Sequence, residues 1–304
     1  MPRSWRAAIP RHPVSDGSVR PLPSESKRGV VSALLFGSLA ALANAGQALL
    51  SKELTLRAPA RQLIGVLYLG NALVLLPLAP FSRWTWSSEI VAWHLVSVAL
   101  MVITAICIWD LFDHGAASAT TTATAMSPIP AALASVVLLP GAIQPIQVVA
   151  SVIVVVGVTL ALSDAFAGLD RWGRTWRIVG AATGTGLLTV VTRLIADAGA
   201  GVVETYVVRT ALAAVVCVAL FPPRDVARSD VPRLLIRSVV VTIYFLFVIL
   251  GARTGSPVVV QTLVATTPLV LLVYESIRTR TRPTLQATAA VAIVLVGVLL
   301  IVAV

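Results

Sequence analysis

Few side chains in this sequence are equipped for chemistry, and those that are stand inside long apolar runs. Asn44 and Gln47 lie three apart, with Ser51 one turn further on, so a helix there carries a polar stripe on a single face. Thr185, Thr189 and Thr192 form a second stripe, although a helical threonine can satisfy itself on the carbonyl a turn earlier. Gly180 and Gly184 beside it make a GxxxG pair, the pattern of close backbone approach between membrane helices. Thr121 and Ser127 come just before Pro128 and Pro130, and Gln261 and Thr267 just before Pro268. A proline leaves one carbonyl of the preceding turn without its helical donor, and in an apolar setting that carbonyl must meet water, a ligand or a side chain. Amides and hydroxyls in such places either bind a polar solute or hydrogen-bond one helix to the next.

Three ionisable or phenolic residues join them. Asp110 follows Trp109 near the end of an apolar run and is the most interior carboxylate; it holds a cation or proton, or stands solvated at headgroup level. Arg209 sits two turns into VETYVVRTALAAVVCVAL, where an unpaired charge is costly. Its partner is Glu204, Glu275 or an anionic group of a solute. Tyr244 is placed beside the same path by its residue type alone. No helix carries an acidic residue at its middle, so proton coupling through a central carboxylate has no obvious agent.

Covalent chemistry finds no foothold. There is no HExxH, no aspartate-rich diphosphate motif and no glycine-flanked serine with a histidine to serve it. His12, His94 and His114 are scattered, and Cys107 and Cys217 fall in apolar segments, so neither a metal site nor a disulfide framework follows. We expect no catalytic residue, no metal and no cofactor.

The elements that must position the polar residues follow from composition. Of 304 residues, 58% are hydrophobic and 12% charged, and the mean hydropathy is +0.93. A soluble domain of this length cannot bury so much apolar surface. The apolar stretches recur at about 20 residues, the length that spans a bilayer core as a helix. Ten spans are expected, at 29–51, 62–81, 90–112, 116–139, 147–163, 176–196, 202–221, 235–252, 256–275 and 284–304. Residues 1–28 read as a disordered basic tail. Trp84, Trp86 and Trp93, with Trp172 and Trp176, suit an interfacial belt. The net charge of +10 resides in the tail and loops, a distribution that suits lipid headgroups and not nucleic acid. Only Lys27 and Lys52 among the 23 basic residues are lysine, a bias of GC-rich bacterial genomes.

An internal repeat organises the spans. At a constant offset of 140, Gly115 matches Gly255, Pro128 matches Pro268 and Gly157 matches Gly297, and IVVVGVTL at 153–160 faces IVLVGVLL at 293–300. The same offset pairs Thr121 with Gln261 and Ser127 with Thr267. Five helices per half is an odd number, so the second half crosses the membrane in the opposite sense. Inverted halves of this kind enclose a site near the midplane. Helices 1, 4, 6 and 9 are the expected walls of that path, with Pro128, Pro130 and Pro268 as kinks.

The stretches GAASATTTATAMSPIPAALASVVLL with VVVGVTLAL, and GSPVVVQTLVATTPLVLLVYE with VLVGVLL, resemble the last two helices of each half in the EamA-like branch of the drug/metabolite transporter superfamily. The likeness covers about residues 29–304. Arg209 takes the place of an arginine that the family carries in the second helix of a half; the first half has Tyr68 and Leu69 thereabouts. The family's glutamate before each last helix is replaced by PGAIQ and RTRTRP. The resemblance implies an all-α integral membrane protein, ten transmembrane helices as two inverted five-helix repeats (29–163 and 176–304, joined by 164–175). It implies a secondary transporter that exports a small metabolite or drug-like molecule from a bacterial cell, acting as monomer or homodimer among membrane lipids. A lipid-linked carrier flippase of the same fold is the alternative, and a membrane enzyme the more remote one. Resemblance puts both termini in the cytoplasm. Loop charge argues otherwise: Lys52, Arg57, Arg61, Arg171, Arg174, Arg177, Arg224, Arg228, Arg233, Arg237, Arg278, Arg280 and Arg282 all fall opposite the termini.

Overall fold

The computed structural model describes residues 27–114, 117–141, 143–161, 171–224, 226–280 and 285–302, and among these it is helices and turns throughout. The basic tail falls outside them up to residue 26, and the expected connecting loop up to residue 170. The helices of the first half are α1 (Lys27–Thr55), α2 (Ala60–Leu75), α3 (Ser88–His114), α4 (Ala117–Ala125), α5 (Pro128–Leu138) and α6 (Pro145–Ala161). Those of the second half are α7 (Arg171–Asp197), α8 (Val202–Leu220), α9 (Val231–Thr254), α10 (Pro257–Val264), α11 (Thr267–Thr279) and α12 (Leu285–Val302).

Twelve helices replace the expected ten because two spans are broken in the middle. The chain leaves the helix at Met126–Ser127 and re-enters at Pro128; in the second half it leaves at Ala265–Thr266, just before Pro268. Proline is tolerated in the first turn of a helix, where its missing N–H had no partner anyway, so each proline begins a new helix more easily than it continues an old one. The carbonyls thus released do not wait for a solute. That of Thr124 accepts the Ser127 N–H at 3.0 Å, and that of Val264 accepts the Thr267 hydroxyl at 2.6 Å. Pro77 and Pro80 likewise end α2 early, and residues Leu76–Phe81 finish the span as a tighter 3-10 turn.

Counting each broken pair as one span, 8 segments among the described residues are long and apolar enough to cross a membrane. The other two, Pro145–Leu160 and Thr288–Leu300, are shorter apolar helices. They pack against each other, and the contact is reciprocal. A Cβ on Gly157 would stand 2.7 Å from Val294 and 3.1 Å from the Ala290 carbonyl; a Cβ on Gly297 would stand 2.7 Å from Val154 and 3.0 Å from the Ala150 carbonyl. Each of these neighbours is the 140-residue counterpart of the other. Elsewhere α1 packs on α9 as α3 packs on α7, α1 on α10 as α7 on α4, and α2 on α8.

The distribution of side chains is that of a molecule solvated by hydrocarbon. Leu35, Leu95, Ile103, Leu133, Val137, Val215, Ile236 and Leu299 are exposed on the outside, while Asn44, Asn71, Arg209 and Gln261 are buried. Trp84 and Trp86 stack at the end of the α2 span, with ring centroids 6.0 Å apart, and the Trp84 indole donates to the Ala79 carbonyl.

Candidate functional site

A cavity of about 90 Å³, partly open to the outside, lies among α1, α2, α3, α4, α7 and α9. Its polar lining comes from Asn44, Gln47, Tyr68, Asn71, Thr104, Thr120, Thr121, Thr124, Thr185, Arg237 and Tyr244, and its apolar lining includes Ile64, Leu67, Met101, Trp109, Phe112 and Phe245. Helical spacing explains the grouping. Ile64, Leu67, Tyr68 and Asn71 occupy i, i+3, i+4 and i+7 of α2, and Arg237, Val241, Tyr244 and Phe245 occupy i, i+4, i+7 and i+8 of α9.

The stripe on α1 is one continuous hydrogen-bonded ladder. The Asn44 amide donates to the Thr267 hydroxyl (3.1 Å), the Gln47 amide donates to Asn44 Oδ1 (2.7 Å) and Ser51 donates to Gln47 Oε1 (3.3 Å). Arg237 closes the ladder, donating from Nη2 to Gln47 Oε1 at 3.2 Å and from Nε to Ser51 Oγ at 3.1 Å. Its guanidinium also lies 5.3 Å from the centre of the Trp109 ring. A second network ties the helix breaks together. Ser127 donates to Gln261 Oε1 at 2.7 Å, and the Gln261 amide donates to the Thr189 hydroxyl.

Of the ten residues expected along the path, Asn44, Gln47, Thr121 and Tyr244 line the cavity. Ser127, Thr189, Gln261 and Thr267 stand behind the wall as the hydrogen bonds that hold it. The expectation that the broken helix of the second half forms a wall is corrected here: no described residue of α10 or α11 reaches the cavity. All eight residues of α10 are buried, because it is packed by α1, α5, α6, α7 and α9 at once. Pro128 and Pro130 open α5 and Pro268 opens α11.

Asp110 is neither in the cavity nor solvated. It accepts two bonds from Arg61, both at 3.2 Å, and lies 3.7 Å from Arg177, so it clasps α3 to α2 and α7. Its side chain is 5% exposed and that of Arg61 57%. Losing one partner of a fully buried pair costs about 3–5 kcal/mol, and the exposure of Arg61 discounts this substantially. Asp110→Asn is therefore expected to destabilise the protein by about 1–2 kcal/mol, and Arg61→Gln by less, since Arg177 stays with the carboxylate. Thermal melting in detergent checks both, and an unchanged Asp110→Asn midpoint would remove the clasp.

Arg209 is 1% exposed, and pairing with Glu204 is not what holds it. Glu204 accepts the N–H groups of Thr85 and Gly201 on Oε2, each at 3.1 Å, as the N-terminal cap of α8, and its Oε1 makes no hydrogen bond among the described residues. The side chain of Glu275 lies outside the described residues. Arg209 instead donates from Nη1 to the Thr192 hydroxyl at 2.9 Å and sits against Tyr206 and Phe245, with ring centres 5.9 and 5.2 Å away. Its Nε and Nη2 have no hydrogen-bond partner.

Two residues escaped the sequence reading. Arg237 was counted among loop charges, yet α9 begins at Val231 and buries it; its two-turn spacing from Tyr244 was the available signal. Asn71 is 1% exposed, and the rule that singled out Asn44 applies to it equally. Neither polar atom of the Asn71 amide, nor the hydroxyls of Thr104, Thr120 and Thr185, has a partner among the described residues. Buried polar atoms are rarely left so, and these four residues all line the cavity.

Residues 175–303 match the family model described as the EamA-like transporter family. Comparison with curated proteins returns no match. Several solved structures match, and one of them, a crystal structure, shares the fold with a TM-score of 0.70 at 18% identity, over 89% of this chain and 96% of that one. With its apolar exterior and its helices of membrane-spanning length, the chain is a multi-pass integral membrane protein, and its residues 175–303 are similar to the EamA-like transporter family.

Proposed function

We propose that the protein is a secondary transporter that exports a small metabolite or drug-like molecule across a bacterial cytoplasmic membrane, with both termini in the cytoplasm. Residues 29–163 and 176–304 act as two inverted five-helix halves that rock against each other about the cavity. The observation that carries this reading is the cavity itself. It takes its lining from α1, α2, α3 and α4 of one half and from α7 and α9 of the other, and four of its polar residues have side-chain atoms with no partner among the described residues. A solute held there would touch both halves, which is what allows its binding to be coupled to their relative motion. The 140-residue offset and the reciprocal Gly157–Gly297 contact support the inverted arrangement.

The test is flux in liposomes containing the purified protein, screened against amino acids, nucleosides, sugars, organic acids and cationic dyes. Asn44 joins the α1 ladder to Thr267 of α11, so Asn44→Ala is expected to lower flux several-fold while leaving expression intact. Wild-type flux in that variant would detach the ladder from transport, and movement of lipid-linked substrates alone would assign the protein to the flippases.

A further inference from the structure

Several arginines towards the ends of the helical bundle have carboxylates: Arg61 and Arg177 share Asp110, Arg193 meets Asp197, and Arg57 and Arg233 meet Glu53 and Asp230. Arg253 is held instead by the Ala200 carbonyl. Arg237 and Arg209 are buried and have no carboxylate among the described residues. Among the described residues Arg237 is the one ionised side chain lining the cavity, and no aspartate or glutamate accompanies it there. Its partners, Gln47, Ser51 and the face of Trp109, are all neutral. Arg209 lies behind Phe245, a cavity-lining ring, and adds a second uncompensated positive charge to the same region.

A desolvated guanidinium without a counter-ion is unfavourable by several kcal/mol, and an anion beside it offsets that cost. We infer that the cavity selects an amphipathic monocarboxylate, its anionic head held at Arg237 and its apolar body lodged against Ile64, Leu67, Met101 and Phe112. A planar carboxylate matches the guanidinium fork. A phosphate dianion would find only one cation in the lining, and a cationic solute none of the carboxylates it needs. The inference rests on the transport reading for the passage of the solute, though not for its binding.

The experiment uses the full-length protein in detergent, with phenylacetate and 4-phenylbutyrate as probes and phenylacetamide and phenethylamine as their neutral and cationic counterparts. Carboxylates are expected to raise the melting temperature and to bind at least about tenfold more tightly than the amide or amine. Arg237→Gln abolishes that preference and Arg237→Lys retains part of it. Gln47→Glu, which changes one atom and supplies Arg237 with an internal carboxylate, abolishes it without removing the charge, so a folding defect in Arg237→Gln does not decide the matter. Equal binding of amide or amine, no binding of either carboxylate, or a preference unaltered in both Arg237→Gln and Gln47→Glu would overturn the inference. Liposome flux separates the two readings. Passage of the amide or amine without the carboxylates keeps the transporter and discards the anion site; carboxylate binding without flux of any solute does the reverse.

Discussion

Gln261→Ala is expected to reduce solute flux in liposomes by about tenfold or more, while the protein still inserts and purifies. Gln261 is fully buried and joins three elements: Ser127 at the break between α4 and α5, Thr189 on α7, and its own helix α10. Truncation leaves two hydroxyls without that partner and opens a void. The combined cost is about 2–4 kcal/mol, reduced where Thr189 falls back on the Thr185 carbonyl, 3.2 Å away. Helix packing elsewhere survives such a loss. What is lost is the register between the broken helices of the two halves, and rocking motions depend on interfaces having discrete, well-defined arrangements. Gln261→Leu separates the causes, since it restores the volume without the hydrogen bonds and is expected to remain impaired. Flux at the wild-type level in Gln261→Leu would leave Gln261 a packing residue only.

Gly186→Val should have the largest effect on folding itself. On α7, Gly186 faces the first break so closely that a Cβ would stand 2.5 Å from the Ser127 carbonyl oxygen and 2.9 Å from the Ala131 nitrogen. Both atoms are backbone and belong to the turn that starts α5, so neither can rotate away. Overpacking ordinarily costs about 1–3 kcal/mol, and an immovable neighbour puts this site at the upper end or beyond. Gly46→Ala is the control, because its nearest neighbour would be Val240 at 3.7 Å, an ordinary contact. Size-exclusion profiles and melting temperatures report the difference. Expected are an aggregated or strongly destabilised Gly186→Val and an unchanged Gly46→Ala; a monodisperse Gly186→Val of normal stability would mean that α7 does not press on the break.

The GxxxG pair behaves as its pattern requires. A Cβ on Gly180 would meet Cys107 Sγ at 2.5 Å, and Gly184 faces Thr104, so α7 lies close against α3. Local sequence suffices there, because small residues one turn apart make a groove whatever fills it. The helix breaks were legible for a similar reason: a proline's missing N–H is a property of one residue. The fate of the released carbonyls was not, since it depended on the Ser127 N–H and the Thr267 hydroxyl folding back over them.

Sequence by itself determined the apolar, all-helical character, the approximate limits of the helices and the polar stripe on α1. All of these follow from composition and from periodicity within a single helix. Tertiary structure decided which polar residues meet and which only hold up the wall. Gln261 and Thr267 looked like lining because they precede a proline, but Gln261 lies on the fully buried α10, and Thr267 at the start of α11 is buried against Asn44. Arg237 looked like a loop charge because charge near a span end usually snorkels to the surface; instead α9 starts a turn earlier and turns it towards Gln47, Ser51 and Trp109. Which face of a helix looks inward is fixed by its neighbours in space, and those can lie 223 residues away along the chain, as Thr267 does from Asn44.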